Sequence, residues 1–284
     1  MRKAILLILM LCLMVFFLEA GDFPVKQRKT IKKELTFAGG TQPQTLEIDN
    51  VFGSIKVLGY NGDIVKVTAQ KTIRAETNET LQQAKTEVKL DISSKGNTII
   101  FFVNGPFRTE KGSISWNARK IRYIVQYDFE VNVPHKTGLR LKTVNDGNIY
   151  VSDINGDFGI RNVNGRIKME KINGSGKAHT VNGKVAVLFN KNPGSNCSFH
   201  TINGNLEVTF LPGLSADFKL KTFNGKIYSD FPTTYLPPTL VKGERKKGKY
   251  GYKSSRFQGV RIGSGGPTIK MDTLNGNILI SKVI

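Results

Sequence analysis

Residues 139–187 read LRLKTVNDGNIYVSDINGDFGIRNVNGRIKMEKINGSGKAHTVNGKVAV, and an Asn-Gly or Asn-Asp-Gly step punctuates them at a fixed interval. Gly147, Gly156, Gly165, Gly174 and Gly183 lie nine residues apart, Gly204 and Gly225 follow at intervals of 21, and Gly276 lies a further 51 on. A period of about 20 residues is the mark of a chain that stacks supersecondary units on one another. Asn-Gly also closes antiparallel hairpins. Half-periods of nine followed by full periods of 18–21 fit two corners per coil better than a meander. The spacing therefore predicts an all-β chain, a parallel β-solenoid with Asn-Gly corners.

Alignment of the coils on the residue before each Val-Asn-Gly step (Thr143, Asn162, Thr180, Thr201, Thr222, Thr273) produces five apolar columns. Two lie upstream, running through Leu139, Phe158, Cys197, Phe218 and Ile269, and through Leu141, Ile160, Ala178, Phe199, Leu220 and Met271. A third lies at the corner: Val144, Val163, Val181, Ile202, Phe223 and Leu274. Two more follow the glycine, beginning at Ile149 and Val151. Polar residues alternate with them, as expected of strands with one buried face. The reading places all five columns inside the coil. Asn-Gly at the corner is attributed to tolerance of positive φ, and stacked asparagine amides are expected to hydrogen-bond from coil to coil.

The same template fits Leu46–Val57, so the solenoid domain is taken to span 44–284, after a lead-in at 21–43. Between 70 and 138 the pattern lapses, which reads as an insertion holding one short helix at 76–89 and strands at 98–103 and 121–133. The Pro-, Gly- and Lys-rich stretch 229–267 reads as a projecting basic loop.

Arg2-Lys3, an apolar run from Ala4 to Leu18 and then Glu19-Ala20-Gly21 match a secretory signal peptide at 1–20. The run is short for a spanning helix, so membrane contact is expected only through that segment. Export to the periplasm, cell envelope or medium follows. If Cys12 leaves with the leader, Cys197 is the one remaining thiol and no intrachain disulfide can form. The formal net charge of +20 favours acidic partners.

The stretches Leu46–Val57, Tyr127–Pro134, Leu139–Val151, the Thr-x-Asn-Gly-x-Ile repeats and Ile262–Met271 together resemble the DUF4097 family of exported bacterial "putative adhesin" proteins. The resemblance covers nearly all of the chain after the leader and lies in the order and spacing of short motifs. It implies a parallel β-helix and an envelope location, and it carries over no catalytic residues.

Two outward columns are rich in cations. Lys142, Arg161 and Lys221 stand just before the Thr column, with His179 and His200, and Arg166, Lys184 and Lys226 follow the glycines. Repeated coil by coil, these residues would form two cationic stripes suited to a repeating polyanion. Lysines on exposed strands also guard sheets against aggregation. Arg245, Lys246, Lys247, Lys249, Tyr250 and Tyr252 mix cations with aromatics in the basic loop, a pattern of nucleic-acid or sugar-phosphate binding. In an exported protein nucleic acid is not expected. His179 and His200 fall on adjacent coils with no third ligand, so no metal site is assigned, and Cys197 sits in a core column as a structural thiol.

No nucleophile elbow, zinc-protease helix or phosphate loop is present. The expectation is a non-enzymatic envelope protein without cofactor, presenting a basic face to anionic polysaccharide, lipopolysaccharide or envelope proteins. The alternative is a polysaccharide lyase or hydrolase, by analogy of scaffold alone. That chemistry needs clustered carboxylates, whereas Asp146, Asp153, Asp157, Glu170, Glu207 and Asp272 fall in different columns.

Overall fold

The computed structural model describes residues 23–39, 42–109, 112, 122–237, 240–246, 249–254 and 257–284. The leader at 1–20 lies outside them. Two large, mostly parallel sheets face each other across one apolar core, as a β-solenoid requires. Each coil contributes one strand to each sheet. In the second sheet Thr45–Asp49, Gly138–Lys142, Phe158–Arg161, Gly176–His179 and Cys197–His200 pair in parallel, in that order. In the first sheet Ile55–Tyr60, Ile149–Ile154, Ile167–Ile172, Val185–Phe189 and Leu206–Phe210 do the same.

Like residues pile up because strands one coil apart lie about 4.8 Å from each other. Ile149, Ile167, Val185, Leu206 and Ile278 form one fully buried column. Each such side chain contributes roughly 1.5–3 kcal/mol before entropy is charged. Phe189 and Phe210 stack at 5.3 Å between ring centres, and Phe199 and Phe218 meet them edge-on. Cys197 is buried in this core, and burial pushes its thiol pKa up.

The corner differs from the sequence reading in which residue faces inward. Thr143, Thr180, Thr201 and Thr273 are buried, as is Asn162; of the expected corner column Val144 alone is buried, while Val163, Val181 and Ile202 are half-buried, Leu274 is 39% exposed and Phe223 75% exposed. Strand alternation simply runs on through the threonine and puts the next residue outside. The inward hydroxyls are satisfied: Thr201 Oγ1 donates to Gly183 O at 2.8 Å, Thr180 Oγ1 to Gly165 O at 2.9 Å and Thr273 Oγ1 to Gly204 O at 3.0 Å. Outside, the asparagine amides form the expected ladder. Asn164 donates to Asn145, Asn182 to Asn164, Asn203 to Asn182, Asn275 to Asn203 and Asn224 to Asn275, each at 2.7–2.8 Å.

The corner glycine has the expected cause and a second one: Gly183 and Gly204 adopt positive φ, 157° each, and the stack leaves no room for a side chain. None of these asparagines has positive φ. A Cβ on Gly204 would lie 2.1 Å from Gly183 O, and one on Gly276 would lie 2.0 Å from Gly204 O. Close stacking of one coil on the next excludes any side chain there.

The coils also do not stack in sequence order. Thr268–Asp272 lies between Cys197–His200 and Ala216–Lys221, and Ile278–Lys282 lies between Leu206–Phe210 and Ile227–Ser229. The last coil in the chain is therefore slotted inside the one before it. Within 229–267, read as a loop, Gln258–Ile262 pairs antiparallel with Ala216–Lys221 and Thr234–Leu236 pairs with Gln258–Ile262.

The segment 70–138, read as an insertion, supplies both sheets. Thr98–Asn104 pairs in parallel with Thr45–Asp49, and Tyr123–Pro134 with Ile55–Tyr60. Beyond them the first sheet continues antiparallel through Ile64–Ala75 to an edge strand, Val25–Thr36. The one described helix, α1 (Asn78–Glu87), starts at the capping residue Thr77 and packs against Ile64–Ala75 and Tyr123–Pro134 through Leu81 and Ala84. Among the described residues no helix is long and apolar enough to cross a membrane.

Candidate functional site

The stacking order breaks up both cationic stripes. The first column runs Asp49, Lys142, Arg161, His179, His200, Asp272, Lys221 in register. A carboxylate stands at or near each end: Lys142 Nζ lies 3.3 Å from Asp49 Oδ2, and Lys221 Nζ lies 3.4 Å from Asp272 Oδ1. Asp49 also holds Arg108 at 2.9 Å. In the second column Arg166 and Lys184 are adjacent, but Asn205 and Asn277 separate them from Lys226. Asn277 N donates to Asn205 Oδ1 and Lys226 N to Asn277 Oδ1, both at 2.9 Å. Lys184 pairs with Glu207. Of the six predicted stripe residues, Arg161, Arg166 and Lys226 enter no ion pair among the described residues.

Several carboxylates in the repeats are engaged at separate places. Glu170 accepts from Lys168 and from Tyr150, which hold its carboxyl below the usual range, Lys168 first. Asp153 lies 3.6 Å from Lys171, and Asp217 binds Arg261 with both oxygens at 2.7 and 2.8 Å. Among the described residues no three His, Cys, Asp or Glu side chains converge.

The basic hairpin forms, with Leu240–Lys246 antiparallel to Lys249–Ser254. Arg245 faces Tyr250 and Lys246 faces Lys249 across it, and Tyr252 faces Lys242. Lys247 and the side chains of this hairpin lie outside the described residues.

The strongest unpaired charge lies elsewhere, where the lead-in meets the stack. Val25–Thr36 reads VKQRKTIKKELT, with five cations in 12 residues, and as an edge strand it pairs on one side alone. Lys26, Arg28, Lys29, Lys32 and Lys33 are all exposed. Register sets Lys26 opposite Arg74, Arg28 opposite Thr72, Lys32 opposite Thr68 and Glu34 opposite Lys66. None of these seven cations enters an ion pair among the described residues.

On the face away from the core the same strands line an open groove of about 510 Å³. Lys26, Arg28 and Arg74 form one wall, and Thr68, Gln70 and Thr72 contribute to its lining. The other wall is acidic but occupied. Asp128 accepts from Ser54 N at 2.8 Å, Ser54 Oγ at 2.7 Å and Gln126 Nε2 at 2.8 Å, and Glu130 pairs with Lys56 at 3.2 Å. Lys26, Arg28 and Arg74 thus outnumber the one lining carboxylate that no cation pairs among the described residues, Asp128, and they stand beside hydroxyl and amide groups that can donate or accept.

On the core-facing side the strand is also electropositive. Half-buried Lys71 donates to Val88 O at 2.7 Å and lies 5.5 Å from the Tyr127 ring centre. Burial lowers its pKa, and Lys29 and Lys85 lower it further. The sequence reading passed over this strand because it precedes the repeats. Its signal was the local density of cations, five against one glutamate.

No family model matches the chain, and no curated protein does. Solved structures of similar shape include a Clostridium sporogenes protein described as a "putative cell adhesion protein", 13% identical, at a TM-score of 0.45 over 90% of this chain and 100% of that one. A Bacteroides fragilis "putative adhesin" is 11% identical at 0.36, and a Parabacteroides distasonis "putative lipid binding protein" is 11% identical at 0.30. Each of these two alignments covers 90% of this chain and 97% of the other.

Proposed function

We propose that this chain is an exported, non-catalytic envelope protein of the DUF4097 type. It binds an anionic surface polymer, a glycan carrying carboxylate, sulfate or phosphate, along its basic edge strand and the adjoining groove. The observation that carries the reading is the contrast in pairing. Half of the six stripe cations, Lys142, Lys184 and Lys221, have ion-pair partners in the stack, whereas none of Lys26, Arg28, Lys29, Lys32, Lys33, Lys66 and Arg74 enters an ion pair among the described residues. Edge lysines guard against strand addition, but Lys66 and Arg74 sit on the inner neighbour, where there is no edge to guard. Alternate residues of a strand are about 6.8 Å apart, within one Debye length at physiological salt. Lys26 and Arg28 stand at that spacing, with Arg74 opposite Lys26, so these three charges act together on a polymer. Export rests on the leader-like segment at 1–20, and a non-catalytic role on the carboxylates of the repeats, which do not converge on one another among the described residues.

Heparin and lipopolysaccharide binding at physiological salt tests the site. Reversing Lys26, Arg28 and Lys32 to glutamate should weaken binding on the order of tenfold or more. Reversing Lys142 and Lys184 should leave most of it. Equal losses from both sets would move the site off the edge strand, and no retention of the native protein at low salt would end the reading.

A further inference from the structure

Halfway along the stack, the outer face of the second sheet carries a second electropositive surface that shares no residue with the groove. Strands Phe158–Arg161, Gly176–His179, Cys197–His200 and Thr268–Asp272 set two columns side by side. One runs Arg161, His179, His200, Asp272, and the other runs Gly159, Lys177, Ser198, Lys270. The rings of His179 and His200 lie 5.8 Å apart at 77°, and His179 Nε2 is 3.2 Å from Ser198 Oγ. Arg161, Lys177 and Lys270 are exposed, with no ion pair among the described residues.

Gly159 leaves the sheet bare beside them. It has room for a side chain, since the nearest atom to an added Cβ would be Leu139 O at 3.9 Å. Packing and backbone therefore do not explain this glycine, unlike those at the corners. It opens a flat floor between Arg161, Lys177 and the exposed Arg140 of the next strand.

We propose that Arg161, Lys177, His179 and Ser198, over the floor at Gly159, form a binding site for a tetrahedral oxyanion of the sulfate or phosphate-ester class, and that the anion binds together with a proton. The guanidinium and ammonium supply charge and the hydroxyl and imidazole supply directional donors. Every charged group facing His179 except one is a cation: Arg161 on one neighbouring strand, Lys177 on its own, His200 on the other, and Lys270 beyond. The exception, Asp272, lies 3.8 Å from His200 and is held by Lys221, so it confines the site to the Arg161 side. Without ligand, burial first, then His200, Arg161, Lys177 and Lys270, lower the His179 pKa to about 4. The ring is neutral at pH 7. An anion among those cations favours the imidazolium and raises that value. By linkage, affinity then rises as pH falls from neutrality towards the ligand-free pKa.

Ring-proton NMR of the full chain from about pH 3.5 to 8 reads this directly, in sulfate and in chloride at equal ionic strength. Sulfate should raise the His179 midpoint by about one unit, equivalent to about tenfold tighter sulfate binding at low pH than at pH 7. His135, at a distant corner with its Nδ1 2.7 Å from Asp153 O, should not move. Arg161→Ala with Lys177→Ala, both exposed positions, should abolish the sulfate response without altering the melting temperature. A dextran sulfate arm separates sources. A response to polymer alone assigns a polymer-borne ester, and a response to both assigns the oxyanion itself. No response to either, or an equal shift at His135, overturns the proposal.

Discussion

The repeat stack and the lead-in layer treat the same residue types in opposite ways. In the stack each position recurs one coil away, so a lysine meets whatever stands at the same offset on the next coil. Lys142 meets Asp49 and Lys221 meets Asp272, while Lys184, level with Asn205, reaches diagonally to Glu207. In the lead-in layer, long strands run antiparallel to an open edge, and all its cations but Lys66, which stands opposite Glu34, face other cations or neutral residues: Lys26 beside Arg74, Arg28 beside Thr72, Lys29 beside Lys71. Charge inside the repeat is thus paired wherever a carboxylate falls in reach and stays free at Arg161, Arg166 and Lys226, while none of the seven lead-in cations enters an ion pair among the described residues. Counting cations along the chain does not separate the two. Their cross-strand neighbours do.

The contrast predicts that stability is concentrated in the stack and polymer binding in the lead-in layer. The largest effect should come from the interior column. Val185→Asp puts a charge at a position with no solvent exposure and should lower unfolding free energy by several kcal/mol in a urea titration. Val181→Asp, at the half-buried corner, should cost only about 1 kcal/mol. Similar losses at the two sites would mean the corner points inward after all. Next comes the threonine ladder. Thr201→Val keeps the shape but removes the hydroxyl bonded to Gly183 O, for an expected loss of about 1–2 kcal/mol by the same titration. An unchanged midpoint would show that the inward hydroxyl is not needed. The smallest effect should be at an exposed pair in the stack. Lys184→Ala breaks the contact with Glu207 and should shift stability by less than about 1 kcal/mol, because water screens it. A larger loss would show that paired cations carry the stack as much as its core does.

Much of the stack was legible in advance because its signals are local. Alternation placed Leu139, Leu141, Ile149 and Val151 indoors, and all four are buried. The asparagine ladder followed from the Asn-Gly recurrence. The corner was misread because Val163, Val181 and Ile202 are the apolar choice and the threonines the polar one. A threonine hydroxyl can go inside when a glycine carbonyl one coil away accepts from it, and that acceptor is not adjacent in sequence. The edge strand escaped notice for a different reason. Val25–Thr36 carries no repeat, and only pairing with Ile64–Ala75 shows what its cations face.

By itself the sequence determined that the chain coils, where it turns and which strand residues line the core, because period-two alternation and the Asn-Gly step act over a few residues. Only the tertiary structure decided the order of the coils. Every coil presents nearly the same ladder to its neighbours, so Thr268–Lys282 can pair as well between two earlier coils as after them. Its observed place, next to Cys197–Phe210 on one side and Ala216–Ser229 on the other, sets Asp272 beside Lys221 and His200. That placement fixes which charges on the surface are neutralised and which remain free.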